Sequence, residues 1–153
     1  MKKIVVITGA GRGIGAATAL LAAERGYAVC VNYRQNRSAA DAVVRAIERA
    51  GGSAIAAAAD VSVEEEVVRL FERVDRELGT LTALVNNAGI LETQMRLDEM
   101  SAARINRILA TNVTGPFLCA REAVRRMSTR HGGAGGTIVN VSSGGARSGS
   151  PGE

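Results

Sequence analysis

The stretch TGAGRGIG, residues 8–15, puts glycines at positions 9, 11, 13 and 15 directly after an apolar run. Glycine lets a chain turn sharply from strand to helix. Its missing side chain also lets backbone N–H groups close on a pyrophosphate at the helix N-terminus. The spacing is not G-x-G-x-x-G counted from Gly9, because position 14 is Ile14. It fits Gly11-x-Gly13-x-x-Ala16 and the pattern TGxxxGxG. Between a strand and a helix, such a cluster points to a dinucleotide phosphate site. A tight turn without a ligand is the alternative. A P-loop is disfavoured, since no Gly-Lys-Ser/Thr follows.

The second clue is an absence. In dinucleotide folds an acidic residue after the second strand binds the ribose 2′-hydroxyl. Here that stretch reads Asn32-Tyr33-Arg34, with no acid. The forked donors of Arg34 match phosphate oxygens, and Arg12 in the glycine turn is a second clamp. NADP(H) is therefore expected over NAD(H), which stays possible. The alternative is that Arg34 and Arg37 are solvated loop charges. At the other end of the chain, a strand-like run at 137–141 delivers Ser142 and Ser143 into a glycine and serine loop.

Alternating elements must position these residues. Apolar or β-branched runs at 3–8, 28–33, 53–60, 81–89 and 137–141 read as strands, the third ambiguous with helix because of its alanines. Helical segments lie between them. Residues 13–25 end at Gly26, and 38–50 open at Ser38 as a possible N-cap. Residues 62–79 are the clearest amphipathic helix, with Ser62 and Glu65 at capping-box spacing. A long helix is expected over 101–130. Apolar strands joined by helices predict an α/β fold with a doubly wound parallel sheet, Rossmann-like, in a single domain over 1–153. The tail at 142–153 reads as disordered from its composition.

Composition excludes several classes. Apolar residues make up 46% and charged residues 22%, as in ordinary soluble domains. Aromatics are 3% with no Trp, which leaves no platform for stacked nucleobases. The net charge of +4 is scattered among helical segments, as in Glu65/Arg69, Glu72/Arg76 and Glu122/Arg126, pairs that read as solvated faces. No nucleic-acid partner is expected. Cys30 and Cys119 read as small buried hydrophobes, and no metal-ligand spacing exists around the single His131. No run is long enough for a membrane span, and the apolar run after MKK is too short for a signal peptide. A cytoplasmic location is expected.

The glycine turn is joined by Asn86-Asn87-Ala88-Gly89 after the fourth strand, TNVTGPF at 111–117 and IVNVSS at 138–143. With these four motifs in this order, the whole chain resembles the short-chain dehydrogenase/reductase family. The resemblance implies that Gly9, Arg12, Gly13, Ile14 and Gly15 line the pyrophosphate and nicotinamide side. It places Asp60 and Val61 beside adenine, and Asn87, Ala88 and Gly89 near the ribose. Asn112 matches the asparagine of the family's catalytic tetrad, and Ser143 the catalytic serine, with Ser142 the lesser choice. It further implies a homo-oligomer, packed through the long helix.

The implied chemistry is hydride transfer between nicotinamide C4 and a carbonyl or alcohol carbon. The serine hydroxyl would stabilise the substrate oxygen, and a tyrosine with a lowered pKa would supply the proton. The family carries that tyrosine in Tyr-x-x-x-Lys. This sequence has only Tyr27 and Tyr33, with Val31 and Arg37 four residues on, and its only lysines are Lys2 and Lys3. The chain therefore reads as the N-terminal, cofactor-binding part of an NADP(H)-dependent oxidoreductase acting on a small carbonyl or alcohol. It is expected to be incomplete after the fifth strand and inactive alone. The other reading is a non-catalytic NADP(H)-binding or interaction module.

Overall fold

A computed structural model of the chain describes residues 3–150. Among them, β1 (Lys3–Ile7), β2 (Tyr27–Tyr33), β3 (Ser53–Ala58), β4 (Ala83–Asn86) and β5 (Thr137–Asn140) form one sheet. Every pairing is parallel, and the order is β3-β2-β1-β4-β5. β1 is central. Its side chains alternate between two faces, as a strand's period of two demands. Ile4 and Val6 point into a core shared with α3 (Glu64–Glu77) and α5 (Gly115–Met127). Val5 and Ile7 point into the opposite core, under α1 (Gly13–Glu24) and α2 (Arg37–Arg49). A strand covered on both faces needs apolar residues at every position, which is why β1 reads IVVI without alternation.

The chain winds outward from β1 to β2 and β3, then returns to the other side of β1 with β4 and β5. The reversal opens a crevice at the C-terminal ends of β1 and β4, where α/β sheets of this kind take ligands. The alanine-rich third segment is a strand because it pairs with β2 from Ala28↔Ser53 to Tyr33↔Ala58, a tertiary cause that overrides alanine's helix preference. Cys30 and Cys119 are buried, free thiols, pushed up to about 12 by burial.

Several local expectations change. The cap of α2 is Asn36, whose side chain accepts from the Ala39 amide at 3.0 Å, while Ser38 donates to Asn36. The Ser62/Glu65 capping box does not form. Ser62 turns back instead, its amide and hydroxyl donating to Asp60 Oδ1 at 2.9 and 2.6 Å. Glu66 accepts from the Asp60 amide at 2.7 Å. An aspartate that can bond its own backbone two residues on competes with the helix for these donors.

The segment at 101–130 is not one α-helix. Ser101 caps α4 (Ala102–Leu109), a π turn follows at Ala110–Thr114, and α5 then runs on to Met127. Pro116 explains the interruption. It has no N–H to donate to the carbonyl of Asn112, four residues earlier. After β5 the backbone forms a short helical turn, α6 (Gly145–Ser148), where composition suggested disorder. The part of that expectation at 151–153 lies outside the described residues.

Candidate functional site

The glycine turn joins β1 to α1 at the crevice. Gly9 and Gly13 have φ of +63° and +55°, values that favour glycine. A side chain at Gly9 would meet the Ala88 backbone at 3.0 Å. At Gly13 it would point into open space, with nothing within 4 Å. Gly15 faces inward: a Cβ there would meet Asn87 Nδ2 at 2.5 Å and the Gly9 carbonyl at 2.7 Å. It therefore lets α1 press against the turn and does not line the cleft.

Three polar side chains fix the turn. Thr8 Oγ1 accepts from the amides of Asn87 and Ala88, each at 2.9 Å. Asn87 Nδ2 donates to the carbonyls of Thr8 and Gly9 at 2.9 and 3.3 Å. Asn32, buried at the end of β2, accepts from the Gly9 amide at 3.2 Å and donates to the carbonyls of Ala57 and Ala59 at 3.2 and 3.1 Å. The sequence motifs alone do not mark Thr8 or Asn32 for these bonds. The available signal was a polar residue ending an otherwise apolar strand, which must find partners or cost stability.

The resulting cleft has a volume of about 530 Å³. Gly9, Arg12, Gly13, Ile14, Arg34, Asp60, Val61, Asn87, Ala88 and Gly89 all line it, together with Asn32, Tyr33 and Asn36. Arg34 is not a lone loop charge: its Nε lies 2.9 Å from Asp60 Oδ2. Arg37 instead pairs along its own helix with Asp41. Burial would raise the Asp60 carboxyl, but its bonds from Ser62, and then the Arg34 guanidinium, hold it below the ordinary carboxylate value.

A second hollow of about 800 Å³ adjoins the first and shares Asn87, Ala88, Gly89 and Ile90 with it. Its other walls include Asn112, Pro116, Ser142 and Ser143. Asn112 sits in the π turn and is locked by two bonds to one residue: Oδ1 accepts from the Ile90 amide, and Nδ2 donates to the Ile90 carbonyl, both at 2.8 Å. Asn86 Nδ2 ties the end of β4 to β5 through Asn140 Oδ1 at 2.9 Å. Ser143 is exposed just past β5, and its Oγ accepts from the Gly145 amide at 3.2 Å. The serine and asparagine candidates thus share one hollow beside the glycine-lined cleft. Among the described residues there is no cluster of His, Cys, Asp and Glu that could hold a metal. No described helix is long and apolar enough to cross a membrane.

A parallel sheet with a glycine-rich turn and a cleft at its switch point is the Rossmann-like α/β architecture, whose members take dinucleotides at that crevice. Residues 3–153 match the family described as short chain dehydrogenase, and the chain belongs to that family. It is 57% identical over 150 residues to the uncharacterized oxidoreductase YgfF of Escherichia coli (strain K12), covering 98% of this chain and 61% of that protein. It is 39% identical over 155 residues to a 3-oxoacyl-[acyl-carrier-protein] reductase of Synechocystis, covering 99% of this chain and 60% of that one. The crystal structure of a short chain dehydrogenase from Mycobacterium avium superposes with a TM-score of 0.91 at 34% identity, over 99% of this chain and 58% of that chain. The chain spans about three-fifths of the length of these relatives.

Proposed function

We propose that this chain is the NADP(H)-binding part of an oxidoreductase acting on a small carbonyl or alcohol, with Ser143 and Asn112 at the reacting end. The observation that carries the reading is the continuous pair of hollows, with a glycine turn and Arg34 in one and Ser143 and Asn112 in the other. The residues fit the cofactor. Gly13 presents a surface open to a phosphate, Arg12 and Arg34 supply cationic donors, and no acid stands after β2 to meet a 2′-hydroxyl there. When bound, the nicotinamide supplies or accepts a hydride at C4.

The protein's own residues orient and stabilise. Gly9 lets the turn close against Ala88, Gly13 leaves its backbone open to the pyrophosphate, and Val61 with Asp60 walls the adenosine end. The Ser143 hydroxyl donates to the substrate oxygen as charge grows on it. Asn112 is held by Ile90 so that its backbone carbonyl, deprived by Pro116 of its α-helical donor, can bind a water near the site. Tyr27 and Tyr33 lie on β2, so neither takes the place of a proton donor beside Ser143. Cofactor binding without appreciable turnover is the expected behaviour of this chain alone.

The test has two parts. Titration of the purified chain with NADPH and NADH, followed by nicotinamide fluorescence, is expected to show tighter binding of NADPH. No binding of either at millimolar concentration overturns the reading. Joined to the remaining length of the Escherichia coli relative, the chain is expected to reduce carbonyl substrates with NADPH. Ser143→Ala should then lower kcat by about 10²-fold or more. A chimera that binds NADPH and reduces carbonyls equally well with and without the Ser143→Ala substitution would remove Ser143 from the chemistry.

A further inference from the structure

We infer that Asp60 is a fixed counter-charge to Arg34, and that it limits how strongly the cleft prefers a cofactor bearing a 2′-phosphate. The inference rests on the NADP(H) reading above and adds a residue that works against it. The two side chains come from different connections, Arg34 after β2 and Asp60 after β3, and meet at 2.9 Å in the wall of the cleft. They are not equally free. The Asp60 carboxylate is gripped by the amide and hydroxyl of Ser62, and the Asp60 amide is gripped by Glu66. Its side chain is 18% exposed, against 57% for Arg34. The arginine can swing toward a ligand; the carboxylate stays.

A phosphate arriving at Arg34 therefore meets a guanidinium that is already compensated, with a fixed negative charge beside it. A dianion is attracted by one partner and repelled by the other. A 2′-hydroxyl carries no charge, so it meets no such conflict. Arg34 thus favours the phosphate and Asp60 the hydroxyl. At a partly exposed site each effect is modest, on the order of a few-fold in affinity.

Adenosine 2′,5′-bisphosphate and 5′-AMP isolate this end of the cleft, and their dissociation constants for the purified chain can be measured by calorimetry. Asp60→Asn keeps an acceptor for Ser62 and removes the charge. It is expected to raise the preference for the bisphosphate by at least about threefold. An unchanged or smaller preference overturns the inference. Arg34→Leu leaves the carboxylate uncompensated and serves if the first variant does not fold: the bisphosphate should then bind more weakly than 5′-AMP. Equal or tighter bisphosphate binding in that variant overturns the inference. A wild-type chain that binds 5′-AMP as well as the bisphosphate would sink the NADP(H) reading. If Asp60→Asn still raised the preference in that case, the counter-charge itself would stand.

Discussion

Asn32 is 1% exposed and uses both ends of its amide, accepting from the glycine turn and donating to two carbonyls beyond β2, those of Ala57 and Ala59. Asp is nearly the same shape but cannot donate when ionised. Asn32→Asp would set a carboxylate against those carbonyls, at a cost of about 3 kcal/mol. Chemical denaturation should show that loss; a variant as stable as wild type would mean the amide is not holding the turn. Gly15 is the neighbouring case. The Cβ of Gly15→Ala would fall 2.7 Å from the Gly9 carbonyl and 2.9 Å from Ala10 Cα, so α1 and the turn must part. NADPH affinity is expected to drop by more than about tenfold, since a displacement of the cradle loses several aligned donors. The difference in legibility between these residues is physical. The glycines were readable because a sharp strand-to-helix turn is a local demand. Asn32 was not, because its carbonyl partners lie 25 and 27 residues away in sequence.

At the scale of elements, α3 and α5 are joined by a charge cluster that the sequence presented as a solvated face. Glu122 is 3% exposed and lies within 2.7 to 3.3 Å of Arg121, Arg125 and Arg126. Arg126 reaches on to Asp75 of α3 at 2.7 Å and covers the Phe71 ring, and Arg121 reaches Glu64. The i,i+4 spacing of Glu122 and Arg126 was legible, but its burial depends on α3 packing over α5. Burial alone would raise the Glu122 carboxyl; the Arg126 hydrogen bond and the charges of Arg125 and Arg126 hold it below the ordinary 4.5. A folded-state value below the unfolded one contributes stability that is present above the unfolded value and lost as pH falls through the folded one. Glu122→Gln removes that contribution. Its cost should be about 2 kcal/mol at pH 7, less than for a fully enclosed pair because Arg121 and Arg125 reach water. Denaturation curves of the two proteins should converge as pH falls below about 4.5. A gap independent of pH would assign the effect to packing. The interruption between α4 and α5 also has a readable cause in Pro116, yet helix periodicity continues through it, so pattern alone joined the two.

At the scale of the whole molecule, two of the apolar surfaces left open among the described residues bear on association. One is the outer side of α4 and α5, where Ile105, Leu109, Val113 and Phe117 recur every four residues and Phe117 is 75% exposed. The other is the free edge of β5, followed by Val141, where Val139 and Val141 are each more than 40% exposed. A contiguous apolar stripe of this kind marks an association surface, and an unpaired strand edge invites pairing with another chain. We propose that the chain self-associates through the helical stripe, because a rigid face can meet its own copy across a two-fold axis and close. An edge strand extends without closing, so it would give larger, polydisperse species. Light scattering after size exclusion should give a mass of two or more chains. Phe117→Asp, which places a charge at the most exposed point of the stripe, should shift the population toward single chains at micromolar concentration. Val139→Lys should leave the mass unchanged while reducing slow aggregation. A wild-type mass of one chain would remove the stripe as an interface, and a Val139→Lys variant that alone becomes monomeric would move the contact to β5.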